Sequence, residues 1–372
     1  PSALGWALIA FYLWETASLL WSQAPVGYRG AIIGLPLLVV PLACAQLRLP
    51  VAAWRRGLWA LALGTALSLL GALAVAAARY AAGAGGRDLF TYHRLAGGVR
   101  HHGVLLSYIV LAALLGTVWL LTQRPPRRAR LGALALAGLL ALGLLLLSVR
   151  MVLGASLAVG VLWALGAAPP RRRAAVVAGS LGLVLALLAV PHVRQRFQAV
   201  LSPNGALLSA ANHQQQPESV YSDLEYRLMT WRAIFHSLDS PARWLIGQGA
   251  RDGLPALNHY YARWNLPRAF MNHHPHNQYF DALLKGGLIG LGLYLSVLIA
   301  AARAFRRFAP GLAFVALLAL LGLTDRFFMN QHPAALFPLM LILLEALAHP
   351  ASGAADKGLA ASIAPVPGGR HS

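Results

Sequence analysis

Residues 131–162 read LGALALAGLLALGLLLLSVRMVLGASLAVGVL, two apolar runs separated by the short interruption Ser148-Val149-Arg150. Each run approaches the roughly 20 apolar residues that a helix needs to cross a bilayer. The sequence therefore predicts two membrane-spanning helices joined by a very tight turn.

Similar apolar runs recur along the chain. Of its 372 residues, 58% are hydrophobic and 11% are charged, and the mean hydropathy is +0.60. Soluble domains carry roughly 25% charged residues. We expect an all-α polytopic membrane protein with about ten spans of roughly 20 residues each. The predicted spans lie near residues 3–20, 31–47, 58–79, 103–121, 131–147, 151–167, 174–190, 278–301, 310–324 and 333–348.

The formal charge of +20 could attract nucleic acid, but the positions of the arginines argue against that partner. They cluster in short breaks between predicted spans, in every second break: Arg48, Arg55 and Arg56; Arg124, Arg127, Arg128 and Arg130; Arg171 to Arg173; Arg303, Arg306 and Arg307. Positively charged breaks mark the cytoplasmic side of a membrane protein. The alternate breaks, 21–30, 80–102, 148–150, 191–277 and 325–332, are then periplasmic, in a multi-pass protein of a bacterial inner membrane.

The expected organisation has four parts: N-terminal spans over 1–190, a periplasmic loop domain over 191–277, C-terminal spans over 278–348 and a flexible cytoplasmic tail over 349–372. The chain begins with Pro1 rather than Met, and we expect residues to precede it. Cys44 is the only cysteine, which excludes an intramolecular disulfide.

The loop domain contains a predicted amphipathic helix. Its apolar residues follow each other at intervals of three and four: Tyr221, Leu224, Leu228, Trp231 and Phe235. Ser222 and Glu225 form a predicted capping box at its start.

A histidine-rich segment, His273-His274-Pro275-His276-Asn277, directly precedes the span that begins near Gln278. A helix N-terminus disfavours protonation of a nearby histidine, and a neutral imidazole can take a proton from a hydroxyl. The alternative is that these histidines are interfacial residues that cap the helix or bind adventitious metal.

Two arginines are further candidates. Arg150 is an ionisable residue within an apolar stretch, which suggests a function, although its side chain could instead extend to the headgroups. Arg227 could pair with Asp223 and stack on Trp231 as an ordinary helix-surface residue. Because Arg150, Arg227 and His276 are all predicted on one membrane face, the two guanidinium groups could instead hold a diphosphate beside a base.

The acidic residues do not indicate a metal site. They are scattered over the chain, as Asp223, Glu225, Asp239, Asp252 and Asp325. We therefore expect neither a metal nor a cofactor. Asp325 could orient His276 or an arginine, or form an exposed pair with Arg326. Gly286 and Gly290 have the spacing that lets transmembrane helices pack closely, which is their default interpretation.

The order of these motifs resembles the bacterial O-antigen ligase family. His276-Asn277, nine residues, Gly287, two residues and Gly290 match its histidine-asparagine signature. The Ser148-Val149-Arg150 turn, the Arg227-xxx-Trp231 helix and Gly247-Gln248-Gly249 agree with its other motifs. The resemblance covers residues from about 140 to 300, and Lys285 departs from it because relatives often have an acidic residue there. Family members usually have about twelve spans of roughly 20 residues, in a glycosyltransferase C-like membrane fold.

The resemblance implies transfer of O-antigen polysaccharide from undecaprenyl diphosphate to a sugar hydroxyl of the lipid A core. His276 would be the general base, Arg150 and Arg227 would bind the diphosphate, and His274, Asn277, Asp325 and Trp231 would support them. The partners would be the lipid-linked glycan, the lipid A core and membrane lipids. Three alternatives stay open: a lipid-linked polysaccharide polymerase, an O-linked protein glycosyltransferase and, more distantly, a transporter of lipid-linked sugar.

Overall fold

The computed structural model is helical. It describes residues 1–24, 28–45, 50–100, 102–123, 125–167, 173–174, 177–178, 181–182 and 221–348. Within these ranges the regular elements are α-helices and short 3-10 turns, without a strand. This confirms the all-α fold class.

The helices before residue 168 are α1 (Ala3–Ala17), α2 (Arg29–Gly34), α3 (Pro36–Ala43), α4 (Val51–Ala81), α5 (Tyr92–Gly97), α6 (Gly103–Thr122), α7 (Arg127–Leu147) and α8 (Arg150–Ala167). Those after residue 220 are α9 (Asp223–Ser237), α10 (Pro241–Ile246), α11 (Gly253–Arg263), α12 (Gln278–Ala304), α13 (Ala309–Gly322) and α14 (Gln331–Ala348).

Six helices of the described chain are long and apolar enough to cross a bilayer, which points to a membrane protein. They are Ala3–Leu20, Ala52–Ala81, Gly103–Thr122, Arg127–Leu147, Gln278–Ala304 and Gln331–Ala348. The predicted count of ten is not confirmed. The spans predicted near 31–47, 151–167 and 310–324 correspond to shorter apolar helices, Gly30–Ala43, Met151–Val161 and Ala309–Gly322. The span predicted at 174–190 lies largely outside the described residues.

Two boundaries differ from the prediction for identifiable reasons. The stretch predicted as one span at 31–47 contains two helices, α2 and α3, which meet at Leu35. Pro36 lacks a backbone N–H and begins a new helix there. α4 begins at Val51, before the predicted 58, so Arg55 and Arg56 lie in its first turns rather than in a loop.

The chain divides into two compact units. The first comprises Pro1–Ala45, Leu157–Arg303 and Val315–Ile342, and the second comprises Gln46–Ser156, Ala304–Phe314 and Leu343–Ser372. The predicted division into N-terminal spans, loop domain, C-terminal spans and tail concerns membrane topology, and it stays a prediction.

In the second unit, α4, α6 and α7 pack closely because glycines lie opposite leucines. A Cβ on Gly143 would lie 2.5 Å from Leu69 Cδ1, and one on Gly116 would lie 2.8 Å from Leu58 Cδ2. α7 ends at Ser148, whose φ of 49° is left-handed, and α8 begins two residues later at Arg150. The tight turn predicted at 148–150 is thus confirmed.

In the first unit, α9 and α11 form a core with the first part of α12. Met229, Ile234, Leu257 and Tyr261 are fully buried in this core, and Leu284 of α12 is 1% exposed. The two helices therefore support the end of α12 that follows the histidine-rich segment.

α12 is broken in the middle. Gly287 has φ 64° and ψ −160°, so residues 278–286 and 288–304 form two helical segments. The loop after α10 fills the break: the backbone N–H of Gln248 donates to Leu284 O at 2.8 Å, and that of Gly249 donates to Lys285 O at 2.9 Å. These bonds satisfy carbonyl groups that an interrupted helix would otherwise leave without partners.

Candidate functional site

α9 presents Arg227 and Trp231 from a well-capped helix. The Ser222 hydroxyl accepts a hydrogen bond from the Leu224 N–H at 3.3 Å, and the Ser222 N–H donates to Glu225 Oε2 at 2.8 Å. This confirms the predicted capping box and helix. Such a cap fixes where the first turn starts, and therefore the direction in which Arg227 and Trp231 project.

The buried face of α9 differs from the predicted one. Phe235, expected on the apolar face, is 45% exposed, whereas Met229, Ala233 and Ile234 are completely buried. These three belong to the core shared with α11 and α12. The prediction was wrong here because it followed the aromatic and leucine residues, whereas the helix contact uses the neighbouring face with Met229, Ala233 and Ile234.

α9 and α11 hold the histidine-rich segment by its carbonyl groups. Trp231 Nε1 donates to Pro275 O at 2.8 Å. The Tyr261 hydroxyl donates to His273 O at 3.1 Å and lies 3.0 Å from the Thr230 hydroxyl. Trp231 of the Arg-xxx-Trp motif thus fixes the peptide directly before His276.

His276 has a strained backbone. Its φ is 46°, in the left-handed region that residues other than glycine rarely adopt. Such a conformation costs about 1–3 kcal/mol and is maintained only where the surrounding structure enforces it. The Trp231–Pro275 bond on one side and the cap of α12 on the other supply that enforcement.

Asn277 caps α12 and connects it to the segment before α14. Its Oδ1 accepts from the Phe280 N–H at 3.0 Å, and its Nδ2 donates to Leu323 O at 3.1 Å. The neighbouring Gln278 Oε1 accepts from the Phe328 N–H at 3.1 Å. These bonds place the segment that contains Asp325 beside the histidines, so the role of Asn277 is structural.

The environment keeps the histidines neutral. Burial, reinforced by repulsion from His276 when it is protonated and by the charge of Arg227, lowers the pKa of His273 to about 4. Burial and Arg326 lower the pKa of His274 to about 3.

After burial, the carboxylate of Asp325 has the largest effect on the pKa of His276. Burial lowers its pKa, Asp325 opposes that shift, and Arg227 and Arg326 reinforce it. His276 is therefore unprotonated near pH 7, with a ring nitrogen that can accept a proton. Arg227 and Asp325 both lie close enough to His276 to act on its charge, and the roles assigned to them from the sequence stay predictions.

Sequence reasoning missed a cluster of buried charges below the histidines. Asp281 is 1% exposed, and its Oδ2 accepts from Lys285 Nζ at 2.5 Å. Arg326 Nη1 lies 3.8 Å from Asp281 Oδ1. The available signal was the Asp281-xxx-Lys285 spacing inside an apolar span, since ionisable residues there are costly.

The glycine motifs have a definite structural role at the break in α12. A Cβ on Gly287 would lie 2.3 Å from Leu245 O, and one on Gly247, whose φ is 75°, would lie 2.4 Å from Lys285 O. Trp14 Nε1 donates to Gly286 O at 2.9 Å, and a Cβ on Gly286 would approach that nitrogen to 2.8 Å. Close packing was predicted for Gly286 and Gly290, but the helix break was not.

Arg150 is the first residue of α8. It belongs to the second unit, whereas Arg227 and His276 belong to the first. The structure brings together His276, Arg227, Trp231, Asn277, Asp325 and His274, and the convergence of Arg150 with them stays a prediction.

The helices and the site together define the class of this protein. It is a helical membrane protein that holds a neutral histidine beside an arginine at the end of a membrane span. Residues 135–295 match the family model described as O-antigen ligase. The matched segment is shorter than half of the chain but contains Arg150, Arg227 and the histidine-rich segment, and it confirms the resemblance seen in the motifs. The match points to a glycosyltransferase of the O-antigen ligase or polymerase kind. No curated protein matches the chain.

Proposed function

We propose that this protein is an O-antigen ligase that transfers polysaccharide from undecaprenyl diphosphate to a sugar hydroxyl of the lipid A core. The observation that carries the proposal is the half-buried, neutral His276, held in a strained backbone beside Arg227 within the segment that matches the family. The enzyme lies in a bacterial inner membrane with this site facing the periplasm.

In the proposed reaction, a ring nitrogen of His276 takes the proton of the acceptor hydroxyl. The acceptor oxygen forms a bond to the anomeric carbon of the donor, and the bond from that carbon to the diphosphate oxygen breaks, with inversion. General bases typically contribute about 10²–10⁴-fold to a rate. Arg227 and Arg150 bind the departing diphosphate, whose negative charge grows in the transition state.

The other residues support this base. Trp231 holds the peptide before His276, Asn277 caps the helix after it, and Asp325 adjusts its pKa. His274, which burial keeps neutral, adds no positive charge near the base. The described residues contain no group of three or more His, Cys, Asp or Glu that could hold a metal ion. We propose a metal-independent reaction, so activity should survive EDTA.

A polymerase that lengthens the lipid-linked glycan would use the same donor and the same base. The family match supports this second candidate as well, because it points to ligase or polymerase chemistry. An O-linked protein glycosyltransferase would differ only in its acceptor, and a transporter would need no base.

A transfer assay distinguishes these functions. Purified protein given undecaprenyl-diphosphate-linked glycan and rough lipopolysaccharide should produce a slower-migrating lipopolysaccharide ladder on a gel. His276→Ala should abolish the ladder, because no base remains, while donor binding stays close to wild type. The His259→Ala variant, on α11 and outside the histidine-rich segment, serves as a control.

Each alternative function gives a different result in this assay. Lengthening of the donor glycan without lipopolysaccharide would indicate a polymerase, and modification of an added polypeptide alone would indicate a protein glycosyltransferase. A ladder made at the wild-type rate by His276→Ala would refute the base assignment.

A further inference from the structure

A cavity of about 520 Å³ lies entirely within the first unit. Pockets for small ligands are roughly 300–1,000 Å³, so its size suits a ligand of one or two rings. Helices α1, α2 and α12 and the loops near 250, 275 and 328 form its walls. His274 and Pro275, the two residues directly before His276, belong to those walls.

The walls of this cavity contain polar atoms that are buried without a hydrogen-bond partner in the described part of the structure. Seven such atoms occur among the described residues, and four belong to residues of this cavity. The four are Glu15 Oε1, Thr16 Oγ1, Arg251 Nε and Asp281 Oδ1. Buried polar groups are nearly always paired, so this concentration indicates a binding site for a polar ligand.

The surrounding cations already have partners. Lys285 Nζ is bonded to Asp281 Oδ2 at 2.5 Å, and Arg251 Nη2 donates to Leu19 O at 3.2 Å and Ser22 O at 3.0 Å. Arg326 Nη1 forms an ion pair with Asp281 Oδ1 at 3.8 Å, which is too long for a hydrogen bond, so that oxygen still lacks a donor.

The hydrogen-bond needs of the unpaired buried atoms indicate the chemistry of the ligand. Two carboxylate oxygens need donors, and a guanidinium N–H needs an acceptor. Asp281, and Glu15 in its charged form, would repel an anion, whereas Lys285, Arg251 and Arg326 would repel a metal cation. A neutral ring with several hydroxyl groups satisfies both kinds of atom because each hydroxyl donates and accepts. Phe11, Tyr12 and Phe328 supply apolar surface for the carbon skeleton of such a ring.

We propose that this cavity binds a sugar ring of the acceptor saccharide, with hydroxyl groups donating to Glu15 and Asp281. The inference rests on the proposed transferase function. It assigns the acceptor rather than the donor because Arg227, which we assign to the donor diphosphate, does not line the cavity. His274 and Pro275 line the cavity and directly precede His276, the proposed base that must reach an acceptor hydroxyl.

Binding can be measured without transfer. The probe is the core oligosaccharide released from rough lipopolysaccharide by deacylation, titrated into the purified full chain by calorimetry. Glu15→Gln and Thr16→Val should each weaken binding, the former by up to about tenfold because the amide oxygen of Gln accepts a weaker hydrogen bond than a carboxylate does. Glu345→Gln on α14 and Thr65→Val on α4 make the same changes outside the cavity and should bind as wild type.

Kinetics then assign the substrate. Glu15→Gln should raise KM for rough lipopolysaccharide by about tenfold and leave KM for the lipid-linked donor nearly unchanged. A change confined to the donor KM would overturn the acceptor assignment. Absence of oligosaccharide binding to wild type, or unchanged binding by both cavity variants, would overturn the site.

The two proposals can fail separately. If the wild type transfers glycan and the cavity variants match it in acceptor KM, the cavity proposal is wrong and the ligase proposal stands. If the oligosaccharide binds and the cavity variants weaken it, but no glycan is transferred, the cavity is a saccharide site, and both its assignment to an acceptor and the ligase proposal are wrong. Thermal unfolding in detergent verifies that each variant is folded, and Thr16→Val decides the test if Glu15→Gln does not fold.

Discussion

At the scale of single residues, burial and neighbouring charges shift the pKa of His276 in opposite directions. Burial and the positive charges of Arg227 and Arg326 lower its pKa, and Asp325 raises it. A base must be neutral to accept a proton, yet a base whose pKa is too low accepts one poorly. Asp325 therefore improves the basicity of His276 without keeping it protonated at neutral pH.

This balance predicts a pH dependence. In the proposed mechanism the active form of His276 is neutral, so activity should be lost as the pH falls through its pKa, at a midpoint below its ordinary value of 6.5. Asp325→Asn removes the opposing charge and lowers the pKa further, so the acid limb of kcat/KM should move to lower pH. Profiles of initial rates for the two proteins test this expectation.

The control is Asp239→Asn, which changes a carboxylate paired with Arg243 on the protein surface. It should leave the acid limb in place. Movement of the Asp325→Asn limb to higher pH, or no movement, would show that Asp325 does not act on the base.

At the scale of elements, the break in α12 depends on backbone contacts that only glycine permits. Gly287→Ala should destabilise the protein by at least about 2 kcal/mol, because an alanine at φ 64° is strained and its Cβ would overlap Leu245 O. Gly292→Ala, in the same helix with nothing within 4 Å of its added Cβ, should stabilise by about 0.5–1 kcal/mol. Thermal unfolding in detergent measures both, and equal effects would contradict a role for the break.

The elements also show what could be predicted from the sequence. The Ser222–Glu225 cap and the Ser148 turn depend on residues close together in the chain, and both were predicted. The break at Gly287 depends on the approach of Leu245 and Gly247, and the polar cavity depends on Glu15 and Asp281 lining the same space. These contacts join distant parts of the chain, so local patterns gave no sign of them.

At the scale of the whole molecule, the arginine pattern predicts which ends of the helices face the periplasm. In a Cys44→Ala background, Asn272→Cys beside the histidines should react in intact cells with a maleimide that does not cross the inner membrane. Arg128→Cys, at the start of α7, should react only after the membrane is disrupted. Both positions are exposed in the structure. The reverse pattern of labelling would place the proposed site in the cytoplasm.

The interruption of α12 has a mechanical consequence. A continuous span responds to a change in bilayer thickness by tilting as one rod, which would move its end. Gln248 and Gly249, in the loop after α10, hold the first segment of α12, which begins two residues after His276. A tilt of the second segment would then be taken up at Gly287 rather than passed to the first. The distance between the proposed base and its substrate would thereby be insulated from the length of the surrounding acyl chains.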